Sequence, residues 1–192
     1  MRTRALLLLI VIGSLLPVPS FPMTVDEAYR SLPHRHVEID PGASGLDRDE
    51  AAYLTRLFEL VDLAIVEKTQ TFLWFQSEGK RGASFRDYKD RVDRLVAQID
   101  SLPAPARLDT IHALLVQAIQ EQRAFFQSWQ EALDEAQQGK DNREAHRSRG
   151  QYLKSSSDKL HEVYDRLLRL FPGAGQRNLD AFYDHLCVLD LL

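Results

Sequence analysis

After residue 20, apolar positions recur at helical spacing along nearly the whole chain, and no segment shows the strict alternation of a half-buried strand. The strongest signal lies between Asp47 and Gly79. Leu54, Phe58, Val61, Ile65, Phe72 and Phe75 form one stripe, and Leu57, Leu60, Leu63, Ala64 and Val66 widen it until residues 57–66 are apolar on most sides. A helix apolar nearly all round is buried by several neighbours, so this one is expected at the centre of the fold. Asp47 and Glu50 have the spacing of a capping box at its start, and Gly79 suits its end.

The other elements follow in order. Thr24 and Glu27 cap a short helix within 23–32, which Pro33 ends. Residues 33–46 form an irregular connection with two clusters of proline or glycine. Ser84 and Asp87 open a helix whose seam is Phe85, Tyr88, Val92, Leu95, Ile99 and Leu102. Pro103 and Pro105 break the chain, and Pro105 serves as the first residue of a long helix running to about Gln138. Its stripe holds Leu108, Ile111, Leu115, Ala118, Gln122, Phe125, Trp129 and Ala132, and Gly139 closes it. The next helix is firm from Leu153 through Leu160, Val163, Leu167 and Leu170. Its start falls either near Asp141 or after Ser155–Ser157, because glycine and serine are weak helix formers. Pro172 and Gly173 end it, and a short helix over 176–191 carries Leu179, Phe182, Leu186 and Leu189.

The expected fold is all-α: an antiparallel four-helix bundle with a short N-terminal and a short C-terminal helix packed on it. The helix after Ser84 is shorter than its neighbours. It leaves the first turns of the 47–79 helix overhanging, and the C-terminal helix is expected to cover them.

Residues 1–20 change the picture. Arg2 and Arg4 precede a short apolar run from Ala5 to Leu16, and Val18 and Ser20 are small residues at the positions a signal peptidase reads. The run is too short to span a bilayer. The chain therefore divides into a signal peptide at 1–20, an N-terminal short helix and connection at 21–46, and a helical domain at 47–192. The mature protein is expected to be periplasmic or secreted. Loss of the leader removes two arginines and no acid, so the net charge moves from −4 to −6. That excludes a general nucleic-acid binder, whose affinity rests on lysine and arginine contacts to phosphate. A single cysteine rules out an internal disulfide framework. Cys187, between Leu186 and Val188, reads as a small buried apolar residue.

Candidate chemistry is sparse. Asp109 with His112, and Asp158 with His161, have the acid–histidine spacing of di-metal bundles. Both pairs fall off the inward stripes and read as solvated surface. His34 and His36 share one side of an extended segment, but two donors make only half a metal site and no third stands near in sequence. No metal ligands and no cofactor are therefore assigned. Lys68, Gln122 and Ser156 lie on inward stripes. They are candidate contacts for a small polar ligand between helices, or else polar pairs that set register and, at Lys68, a lysine that snorkels to solvent. Lys68 is expected nearest Asp93, Arg94 and Asp165. At the opposite end, Arg81, Arg86, Arg143 and Arg147, with Phe126 and Trp129, form a candidate patch for an acidic partner or an anionic membrane surface. Phe126 is off the stripe and is expected to be partly exposed.

No nucleophile–base pair, phosphate loop or C-x-x-C-H haem attachment is legible. The sequence points away from an enzyme, with convergence of distant side chains the one route it leaves open. It points to an exported helical binding module for a protein partner or small ligand. The alternative is a carrier of a metal, haem or small molecule in the bundle core.

Overall fold

The computed structural model describes residues 23–32, 34–42, 45–78 and 82–191. The leader expected at 1–20 lies outside these, as do Gly79, Lys80 and Arg81. Among the described residues every regular element is helical. These are α1 (Val25–Ser31), α2 (Arg48–Gln76), α3 (Phe85–Asp100), α4 (Asp109–Gln137), α5 (Arg143–Leu170) and α6 (Gln176–Asp190), with one 3₁₀ turn at Ala106–Leu108 before α4. None is long and apolar enough to cross a membrane.

Local chemistry sets the ends. Reciprocal capping boxes open α1 at Thr24 and Glu27, and α2 at Asp47 and Glu50. The Ser84 hydroxyl accepts from the Asp87 N–H at the start of α3. Gly139, at φ +68°, follows α4. Helix α2 stops earlier than the pattern implies, and Glu78 takes a left-handed φ of 54° just beyond it. Helix α5 starts at Arg143, at the earlier of its two expected positions. It runs through Gly150 because α5 packs along the length of α4, and such packing outweighs weak local propensity.

Helix α2 is buried by α1, α3 and α6. Its apolar central stretch lies in the core, except that Leu63 is exposed. Helix α6 packs against both α5 and α2. Phe182 stacks on Phe58 (centroids 6.0 Å), and farther along α6 the last carbonyls reach Lys68. One end of the molecule is closed by Arg107, which pairs with buried Glu50 (2.7 Å), donates to the Leu170 carbonyl and lies over the Phe171 ring.

Two devices fix the segment between α1 and α2, which positions His36. The buried Asn178 side chain of α6 accepts from the Asp40 N–H (2.7 Å) and donates to the Asp40 carbonyl (3.0 Å). It thus satisfies both backbone groups of one residue. Gly45, at φ +94°, lies against Gly173 so closely that an added Cβ would sit 2.6 Å from its carbonyl carbon. Only glycine meets both demands. The strap from residue 34 to 42 is therefore held against the start of α6.

Candidate metal centre

The apolar run of α2 contains two carboxylates, Glu59, which is exposed, and Asp62, which is buried. A buried carboxylate must be paired, and Asp62 has three partners, from α1, the strap and α6. The Tyr29 hydroxyl of α1 donates to Oδ1 at 2.8 Å. His36 of the strap places Nε2 2.9 Å from Oδ2. His185 of α6 places Nε2 3.2 Å from Oδ1. The donor atoms of His36, Asp62 and His185 all lie within 4.8 Å of one another. Among the described residues no other three such side chains converge this closely.

The surroundings are aromatic on one side and hollow on the other. His185 packs on Phe58 (4.7 Å) and edge-on to Tyr29 (5.9 Å), and His36 leans on Tyr29 (5.0 Å). A cavity of about 240 Å³ adjoins the cluster, lined by His36, Asp62 and His185 together with Glu38, Ile39, Thr55, Phe58 and Glu59. Burial pushes the Asp62 pKa up. The hydrogen bonds from His185 and Tyr29, with the charges of His185 and His36, outweigh it and hold the carboxyl below its ordinary range. Burial first, and then Asp62, push the Tyr29 phenol up, so it stays a neutral donor.

The hydrogen bonding of His185 decides what the cluster can do. Its Nδ1 lies 2.8 Å from the Ala181 carbonyl, one turn back on α6. A carbonyl only accepts, so Nδ1 carries the hydrogen. In the neutral ring Nε2 is then a lone pair, and it faces a carboxylate oxygen. Two electron-rich atoms at this distance need a positive species between or on them: a proton that makes the ring an imidazolium, or a metal cation. A ring N–H held by a backbone carbonyl is also the arrangement that orients a metal-binding histidine.

The residues singled out in the sequence fall elsewhere. Lys68 is fully buried and donates to the carbonyls of Val188 (2.8 Å), Leu189 (2.5 Å) and Leu191 (2.8 Å). These groups, rather than Asp93, Arg94 and Asp165, are its partners. Gln122 donates to the same Leu189 carbonyl (2.6 Å), and Ser156 donates to the Ala118 carbonyl (3.1 Å). Lys68 and Gln122 thus cap the C-terminus of α6. Asp158 pairs with Lys154 on the surface, as expected, while His112 is half-buried and bonded to the Tyr53 hydroxyl (2.7 Å). Cys187 is half-buried beside Tyr183, not fully buried.

At the basic end the expectation for Phe126 is corrected. It is fully buried, stacked on Phe75 (5.8 Å) and edge-on to Tyr88 (4.9 Å), because the end of α2 and the start of α3 cover that flank of α4. Trp129 is half-buried under the Arg149 guanidinium. Arg143 pairs with Asp141, and Arg147 with Glu144, each at the surface. Arg86 is exposed beside Trp74 and Phe85, and Arg81 lies outside the described residues.

Asp62, His185 and Tyr29 are the residues that the sequence reading missed. One signal was present: Asp62 follows Leu60 and Val61 in a run that is apolar on most sides, and an acid there demands a buried partner. No protein-family model matches this chain, and no curated protein or solved structure proves similar to it.

Proposed function

We propose that this chain is an exported, non-enzymatic helical protein that holds a divalent first-row transition-metal ion between His36, Asp62 and His185. The observation that carries the reading is the buried His185 Nε2, placed 3.2 Å from Asp62 Oδ1 while the Ala181 carbonyl occupies the other ring nitrogen. Two imidazoles and one carboxylate suit zinc, iron, cobalt, nickel or copper better than magnesium or calcium, which prefer all-oxygen sites. Two donors on one ion stand at most about 4.2 Å apart, twice a bond of about 2.1 Å. The group as it stands, within 4.8 Å, needs only a small contraction. The frame reads as a four-helix bundle of α2 to α5, with α6 set into the seam between α5 and α2. Export rests on the leader pattern of residues 1–20.

The basic end gives less support to docking on an acidic partner or membrane. Arg143 and Arg147 are already neutralised by acids on the same helix or turn, and Phe126 is buried.

The test is calorimetric titration of chelator-stripped protein with Zn²⁺. One ion per chain is expected, and Asp62→Asn should remove the binding while the circular dichroism spectrum stays helical. Absence of binding by the wild-type chain, or equal binding by Asp62→Asn, rejects the reading. In that case the cluster is a hydrogen-bonded network that ties the strap to α2 and α6.

A further inference from the structure

We infer that the ion held by this site keeps coordination positions open toward the adjoining cavity, and that these take a small neutral or monoanionic oxygen or nitrogen donor. The inference rests on the metal reading above and deepens it. First-row divalent ions take four or more ligands, and a site with only three protein donors leaves at least one position for water or an exchangeable ligand.

The cluster's surroundings show where that position lies. Phe58 and Tyr29 pack against the imidazole rings, and Tyr29 also holds Asp62 Oδ1, so these sides of the cluster are filled by protein. The remaining side is the cavity of about 240 Å³. At about 30 Å³ per water molecule, that space admits several waters or one small ligand. It is below the roughly 300 Å³ at which pockets for drug-sized molecules begin.

Charge narrows the class further. A divalent ion with one Asp62 carboxylate and two neutral imidazoles keeps one net positive charge, which draws an anion. Glu38 and Glu59 also line the cavity and oppose a multiply charged one. Glu59 is bound to exposed Arg56 at 2.7 Å, which draws its carboxylate toward the surface and away from the ion. The Thr55 hydroxyl donates within its own helix, to the Ala51 carbonyl (2.9 Å). The wall facing the ion thus mixes apolar groups with the Thr55 hydroxyl and two carboxylates. It suits a compact donor such as water, formate or azide.

The experiment uses the chelator-stripped full chain loaded with Co²⁺, whose visible absorption reports the ligands around the ion. Azide is then titrated in. The expected result is a saturable shift of the Co²⁺ band in the wild-type chain. Thr55→Leu narrows the cavity without touching a metal donor. It should keep the Co²⁺ band but weaken azide binding by roughly tenfold, the effect of overpacking by about a methylene group. If Co²⁺ binds and azide leaves the spectrum unchanged, the inference is overturned and the metal reading stands: a protein group closes the site. If azide shifts the band equally in Thr55→Leu, the ligand does not enter through this cavity and the inference is again overturned. If no Co²⁺ band forms at all, the metal reading fails and takes the inference with it.

Discussion

Helix α2 carries two buried ionisable side chains less than two turns apart, Asp62 and Lys68, and both reach across to α6. Their environments differ in one respect. The ammonium of Lys68 has three hydrogens and meets three backbone carbonyls, with Gln122 adding a fourth donor at Leu189. Donors there are used up, and the carbonyls left over at a helix end find partners. Around Asp62 the balance is reversed. Two carboxylate oxygens meet one phenol proton and the facing nitrogens of two imidazoles, with a cavity beside them. A closed polar cluster holds a fold together. One with converging metal-ligand atoms and open space beside it supports the proposed cation site. Both lie on the same helix against the same partner, so the contrast comes from local stoichiometry and not from depth.

The largest effect expected on this contrast is from Lys68→Met. It keeps the packing but leaves the carbonyls at the end of α6 without their ammonium, which should lower the unfolding free energy by about 3 kcal/mol. Urea unfolding measures this, and a loss below about 0.5 kcal/mol would show the capping to be ornamental. The pH dependence sharpens the point. Burial pushes the Lys68 pKa down to about 7, against the opposing pull of Asp190 and Cys187, from 10.5 in the unfolded chain. Between those values the unfolded chain binds more protons, so stability rises with pH across that window. Lys68→Met should flatten that rise.

Next comes Asp62→Asn, which preserves shape but removes the charge. Zn²⁺ affinity should fall beyond the roughly 100-fold that loss of an outer partner causes. Tyr29→Phe deletes only that outer partner, and roughly a tenfold loss of affinity is expected from the same titration. The smallest effect is that of Gln122→Leu. It removes one of two donors at the Leu189 carbonyl and should destabilise by about 1 kcal/mol. Its Zn²⁺ affinity should stay at the wild-type value. A large change there would mean that the two clusters are not separate.

The helices were readable because their signals are local. The capping pairs Thr24–Glu27, Asp47–Glu50 and Ser84–Asp87 act over three residues, and the apolar stripes repeat over four. The inward placement of Lys68, Gln122 and Ser156 was readable for the same reason, since each sits on an apolar stripe, and all three are buried. Their partners were not. Lys68 bonds to Leu189, 121 residues away, through a backbone group that carries no side-chain signature. Phe126 was misplaced because a heptad describes the contact of a helix with one neighbour, whereas α4 is covered on a second flank.

The sequence by itself thus determined the helical class, most element boundaries and which side of each helix turns inward, because hydrogen bonding and hydrophobic period act between near neighbours. Only the tertiary structure decided the candidate centre. His36 and Asp62 stand 26 residues apart, on an irregular strap and a core helix, and His185 lies near the other end of the chain. Their meeting depends on Asn178 gripping Asp40, on Gly45 lying against Gly173, and on α6 docking along α2. A binding site needs donors converging on a point, and convergence is a property of packed elements that no local spacing records.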